Sequence, residues 1–237
     1  MENNFATNID NDQLSLLPVC AFRGKIVVVD DPEAAEAACA DLLSHAVIGF
    51  DTETRPTFRP GALNKVALLQ LSTPETGYLF RLCKMPLVKP VIKVLESEDT
   101  LKVGADIKND IRALQELRRF KPKGFADLQG MVAEWGIADK SVRKMAGIIM
   151  GVRVSKAQRL SNWEAATLTP AQQMYAVTDA WVCERMYGVL MRTDKRPLPM
   201  PGPVAGEPEK AGPSTERKRR RRPRRKIAKP EGSAGKE

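Results

Sequence analysis

In VIGFDTETRP, Val47–Pro56, an apolar run ends in two acids one residue apart, Asp51 and Glu53. Alternate residues of a strand share a face. The two carboxylates therefore point together, while Phe50 and Thr52 point the other way. Side-by-side carboxylates repel, and they persist at a strand end when something offsets their charge. A Lys or Arg could do so, as could a divalent cation, and hard oxygen donors suit Mg²⁺ or Mn²⁺. Taken alone, the pair is explained more simply as two exposed acids where the strand leaves the sheet.

Two further stretches carry acids in informative places. In KVGADIKNDIRAL, Lys102–Leu114, a short strand runs through Gly104 and Ala105 into a helix that carries Asp110. An acid in a first helical turn can be there for the helix dipole alone. Asp106 is the better candidate for the cap, which leaves Asp110 without that explanation. In QQMYAVTDAW, Gln172–Trp181, Tyr175 and Asp179 lie four residues apart, on one helical face with Val182 and Met186. That face is inward, and an inward Asp needs a partner. The simplest partner is the Tyr175 hydroxyl.

The elements that must position these residues follow from periodicity. KIVVVDD, VIGFDTET, KVALLQLST and GYLFRL read as strands, and short connections join the last three into an antiparallel meander. Helices follow at Asp31–Ala46, Leu87–Ser97, Lys108–Arg119, Gln129–Gly136 and Ser141–Met150. Short strands fall at Leu101–Ala105 and Phe125–Leu128. Thr169 and Pro170 open a long final helix reaching about Thr193, as N-cap and first-turn residue. Strands in a hairpin series, then strands alternating with helices, predict an α/β fold with a mixed β-sheet flanked by helices.

Composition sets limits. The net charge is +9, and Lys210–Glu237 accounts for all of it, with 12 Lys and Arg against 3 Asp and Glu. The remainder is neutral, so the basic character belongs to a tail. Arg217–Lys226, with Arg219, Arg220, Arg221 and Arg222 at its centre, has nothing to bury and is expected to be disordered. Such a run attracts nucleic acid nonspecifically and weakly at high salt. The organisation expected is an N-terminal extension over residues 1–24, a domain over 25–194 and a Pro/Gly/Lys/Arg-rich basic tail over 195–237. The chain has no apolar stretch long enough to span a membrane, and the polar opening MENNFATNIDNDQ does not read as a signal peptide. Four scattered cysteines without a CxxC pair are expected to be reduced thiols in a cytoplasmic protein. With His45 as the only histidine, a Cys/His zinc site is excluded in practice.

The order of these motifs carries a resemblance. FDTET, KVALLQLST, a strand-to-helix Asp, SNW and LTPAQQMYAVTDA together resemble the DEDD superfamily of 3′–5′ exonucleases, in particular the ribonuclease D group and the exonuclease domain of the Werner syndrome helicase. The resemblance spans roughly Lys25 to Thr193. It implies a ribonuclease H-like fold, in agreement with the mixed sheet. It also implies two divalent cations, Mg²⁺ or Mn²⁺, held by Asp51, Glu53, Asp110 and Asp179, with Tyr175 in the fifth catalytic place. The superfamily divides by Tyr or His at that place. His45 precedes the first acid and cannot fill it, so the resemblance is to the Tyr (DEDDy) branch. Asn109 stands where many relatives carry an aromatic before the Asp, which keeps Asp106 as the alternative acid. Lys156 and Arg159 are candidate phosphate contacts or part of a solvated basic loop. Trp163 is expected in the core, and Lys65 and Gln70 are expected to be structural. The implied partner is the 3′ end of RNA or DNA, single-stranded or frayed, with no membrane and no obligate protein partner. A contrasting reading is a nucleic-acid-binding module on the same fold that has lost catalysis.

Overall fold

Three apolar runs, β3 (Val47–Thr54), β4 (Val66–Ser72) and β5 (Thr76–Phe80), form the antiparallel centre of the molecule, as their alternation predicts. The computed structural model describes residues 1–56 and 64–198. β5 also pairs in parallel with β2 (Lys25–Val29), while β3 pairs in parallel with β6 (Leu101–Gly104), and β6 with β7 (Phe125–Asp127). The order is β2-β5-β4-β3-β6-β7, and β4 alone runs against the others. The C-terminal ends of β3, β6 and β7 therefore emerge at one edge, where open α/β sheets place their sites.

The two sheet faces are packed by different layers. Phe50, Leu69, Leu71 and Phe80 face α2 (Pro32–Leu43), α3 (Lys89–Glu96) and α4 (Ile107–Leu117). Leu68 and Leu79 face Ala176 and Val177 of α7 (Pro170–Met191), together with Phe22 and Trp163. Further along α7, Val182, Cys183 and Met186 meet Val103 of β6 and a cluster from α5 (Leu128–Met131) and α6 (Val142–Met150). α7 is thus buried on most sides and runs across the sheet as its central support. It starts as its sequence predicts: the Thr169 hydroxyl accepts from Gln172 N at 3.2 Å, and Gln172 Oε1 accepts from Thr169 N at 2.9 Å.

The contact between α7 and the sheet depends on missing side chains. A β-carbon added at Gly49 of β3 would overlap the Ala180 carbonyl oxygen, and one at Gly77 of β5 would overlap the Val177 side chain. Glycine at these two positions lets the helix backbone sit directly on the strands.

Several local expectations change. Asp106 does not cap α4: it adopts φ 62°, and its side chain makes no cap bond. Asp127, at the end of β7, supplies the cap instead, accepting from Asp106 N at 3.3 Å and Ile107 N at 3.2 Å. The helix expected over 129–136 is two pieces, α5 followed by a 3₁₀ turn at Val132–Trp135. Lys65 lies just before β4 and is exposed. Residues 1–24, expected as an extension, contain α1 (Asn11–Leu16) and β1 (Val19–Cys20). β1 pairs in parallel with β8 (Arg153–Val154), Leu14 is buried, and Phe22 N donates to Thr178 Oγ1 of α7 at 3.1 Å. Residues 195–198 also pack back, with Leu198 N donating to Ala133 O at 3.0 Å. The rest of the basic tail, including Arg219, Arg220, Arg221 and Arg222, lies outside the described residues.

The glycine contacts give a stability prediction. Gly49→Ala should destabilise the chain by about 1–3 kcal/mol, because a core contact is overpacked. Gly130→Ala in α5, where an added β-carbon meets nothing within 4 Å, should be neutral or stabilising by about 0.5–1 kcal/mol. Urea unfolding of the two variants beside wild type checks both signs.

Candidate active site

β3 carries its acids out of the sheet on the face that α7 covers. Gly49, Asp51 and Glu53 share that face, and the close seat of Ala180 on Gly49 brings the preceding residue, Asp179, over the strand end. Asp51, Glu53 and Asp179 each present a carboxylate oxygen, and these oxygens lie within 4.8 Å of one another. Tyr175 is one helical turn earlier on the same side of α7. Its ring lies 6.0 Å from the fully buried ring of Trp163, at an interplanar angle of 34°. The Trp of the SNW motif is therefore core, and it backs the Tyr175 ring.

Asp110 arrives from the opposite layer. Thr52 points away from Asp51 and Glu53, and its hydroxyl donates to Asp110 Oδ1 at 2.6 Å. Asp110 is thus tied to the back of the same strand end and lies outside the tight group of three. The alternative acid, Asp106, is exposed, and its carboxylate accepts from Asn109 Nδ2 at 3.0 and 3.1 Å.

The electrostatics are those of concentrated negative charge. Burial, then Asp179, Glu53 and Asp110, pushes the Asp51 carboxyl well above the usual range. Burial, with Asp179 and Asp110, raises Glu53 to about 8. Burial raises Asp179 to about 7, against the opposing hydrogen bond from Tyr175. Burial also raises Asp110 to about 6, with Asp106 and Asp127 adding to it and the Thr52 hydroxyl opposing it. Burial first, then the charges of Asp179 and Glu53, moves the Tyr175 hydroxyl up from its ordinary value. No basic side chain forms an ion pair with these acids among the described residues.

A cleft of about 160 Å³ opens over the acids. Asp51, Tyr175 and Asp179 line it together with Arg143, Lys156 and Arg159. Lys156 and Arg159 are thereby brought to the site, on the turn that follows β8. Arg143, from α6, is a cleft residue that sequence reading misses. An Arg on an amphipathic helix looks like ordinary surface, and only the docking of α6 against α7 turns it toward the acids. Its Nε is buried without a hydrogen-bond partner among the described residues. Thr52 is missed as well, because its role depends on where α4 packs.

The donor set fits hard divalent cations. It is made of carboxylate oxygens, it is partly desolvated, and it has an uncompensated charge. All four cysteines are free, and the Cys183 thiol in the cleft is held strongly protonated by burial and by the nearby acids.

Comparison with known proteins agrees with this geometry. A family model described as 3′–5′ exonuclease matches residues 26–193, and the chain belongs to that family. Among curated proteins it is 30% identical, over 180 residues, to the bifunctional 3′–5′ exonuclease/ATP-dependent helicase WRN of Mus musculus. That match covers 70% of this chain and 12% of the mouse protein. Among solved structures it resembles the Nibbler EXO domain of Aedes aegypti, with a TM-score of 0.66 and 22% identity, covering 73% of this chain and 92% of that one. It also resembles the ribonuclease D of Trypanosoma brucei, solved as a complex with RNA U12, with a TM-score of 0.63 and 21% identity, over 71% and 63% of the two chains. At these identities the structural matches establish the ribonuclease H-like exonuclease fold.

The raised carboxyls predict a pH dependence for the metal-free protein. The folded state keeps protons that the unfolded chain has released, so stability must fall as pH rises from about 4.5 to about 8, the ordinary and folded values of Glu53. Thermal melts in EDTA across this range check the sign. Asp51→Asn removes a buried charge from the group and should flatten the slope. It should also raise the melting temperature at pH 8, by roughly 2–4 °C for each 1 kcal/mol gained.

Proposed function

We propose that this chain is a metal-dependent 3′–5′ exonuclease that hydrolyses phosphodiester bonds at the 3′ end of single-stranded or frayed RNA or DNA. The observation that carries this reading is the convergence of Asp51, Glu53 and Asp179 within 4.8 Å at a strand end. Asp51, Glu53 and Asp179 would hold one divalent cation. Asp51 and Asp110 would help to hold a second, and Mg²⁺ and Mn²⁺ both suit these oxygens. Bound there, such ions lower the pKa of water and neutralise charge on the transferring phosphoryl group.

The chain's own residues supply orientation and phosphate binding. Tyr175, kept protonated by burial and by the surrounding acids, orients the attacking water by hydrogen bonding and does not act as a base at neutral pH. Trp163 fixes the ring in place. Arg143, Lys156 and Arg159 line the same cleft as the acids and hold backbone phosphates there. Basic side chains are needed in the cleft because the acids would otherwise repel a polyanion. Arg219 to Arg222 add nonspecific attraction.

The test is degradation of 5′-labelled single-stranded RNA and DNA oligonucleotides in Mg²⁺, Mn²⁺ or EDTA. A ladder shortening from the 3′ end is expected, absent in EDTA and abolished by Asp51→Ala. Cleavage that survives Asp51→Ala would overturn the mechanism. The phosphate-binding wall has its own readout. Each of Arg143→Gln, Lys156→Gln and Arg159→Gln should reduce the slope of log affinity against log salt by about 0.7 for a single strand.

A further inference from the structure

β4 is buried at every position, yet it carries two polar residues, Gln70 and Ser72, among Val, Ala and Leu. Gln70 is 0% exposed, and neither its amide nitrogen nor its amide oxygen meets a hydrogen-bond partner among the described residues. An unpartnered buried amide is costly, whereas an apolar side chain of similar shape is close to neutral or better. Packing alone would therefore favour Leu or Met at this position.

The register shows what the amide is beside. On one side Gln70 pairs with Leu79 of β5, which is fully buried and offers no polar atom. On the other side it is directly opposite Asp51 of β3. Facing residues of an antiparallel pair have β-carbons about 4.5–5.5 Å apart on the same face. The polar side chain directly opposite Gln70 is thus the Asp51 carboxylate, which receives a backbone hydrogen bond from Thr52 and has lone pairs to spare. The Ser72 hydroxyl, two residues along on the same face, is likewise unpartnered among the described residues.

We propose that Gln70 is a positioning residue for Asp51: its Nε2, which makes no hydrogen bond among the described residues, stands in register opposite the carboxylate and would donate to it when a cation is held there, fixing how the other oxygen is presented. The inference rests on the metal-binding reading of the acids. Hydrogen-bonded neighbours of ligating carboxylates act in this way, and their loss typically lowers metal affinity or activity 10–100-fold.

The test compares Gln70→Leu and Gln70→Met with wild type in two measurements that do not depend on turnover: thermal unfolding in EDTA, and calorimetric titration with Mn²⁺. The metal-free variants should melt at or above the wild-type temperature and bind Mn²⁺ about 10–100-fold more weakly. In turnover, saturating Mn²⁺ should restore kcat, and KM for the oligonucleotide should be unchanged. Wild-type Mn²⁺ affinity in either variant, or loss of folding in both, overturns the proposal, because the amide would then serve packing alone. A wild-type chain that binds no Mn²⁺ overturns the metal reading beneath it instead.

Discussion

The seat of α7 on β3 governs the rest of this structure. At Gly49 the helix backbone occupies the space a side chain would need, and at Gly77 the Val177 side chain does the same. These contacts set both the height of the helix above the sheet and its rotation. Asp179, next to the seated residue Ala180, then has to face the residues that follow Gly49 on the same side of the strand. Those residues are Asp51 and Glu53. Tyr175 follows one turn away, backed by Trp163, and Thr178 ties the N-terminal segment to the same helix through Phe22. The acid group is a consequence of one backbone-to-backbone contact.

That contact forces together groups that would separate if free to do so. Burial raises every acid of the site, repulsion from the other site acids adds to it at Asp51 and Glu53, and no described basic side chain forms an ion pair with them. The cost is carried by the apolar packing on both sides of α7. Such a site trades stability for affinity toward positive charge. Its basic side chains, Arg143, Lys156 and Arg159, line the same cleft, and none of them forms an ion pair with the acids among the described residues.

The site also straddles the sheet edge. Asp179 reaches it from the α7 layer and Asp110 from the α4 layer, tied through the Thr52 hydroxyl. This is possible because β3, β6 and β7 run in parallel and end together, so the turn from β6 into α4 opens beside the end of β3. Asp127 completes the arrangement from β7 by capping α4. A carboxylate that sequence reading would assign to a neighbouring helix start is instead borrowed from a strand distant in the chain.

Much was readable without coordinates, for local reasons. Alternation in VIGFDTET puts Asp51 and Glu53 on one face. Spacing of four puts Tyr175 with Asp179, and Thr169-Pro170 marks where their helix begins. These are short-range regularities of strands and helices, and they held. The sheet order, the capping of α4 by Asp127 in place of Asp106, and the packing of residues 1–24 against the domain were not readable, since each depends on partners far apart in sequence. The same holds for Arg143, Thr52 and Gln70. Their types and spacing look like surface or core filler, and only the docking of α6, the placement of α4 and the β3–β4 register bring them beside the acids. Local patterning marks which residue types could do the chemistry. The tertiary structure decided which of them meet, because the contacts that assemble the site are made between elements, and the chain does not encode those distances locally.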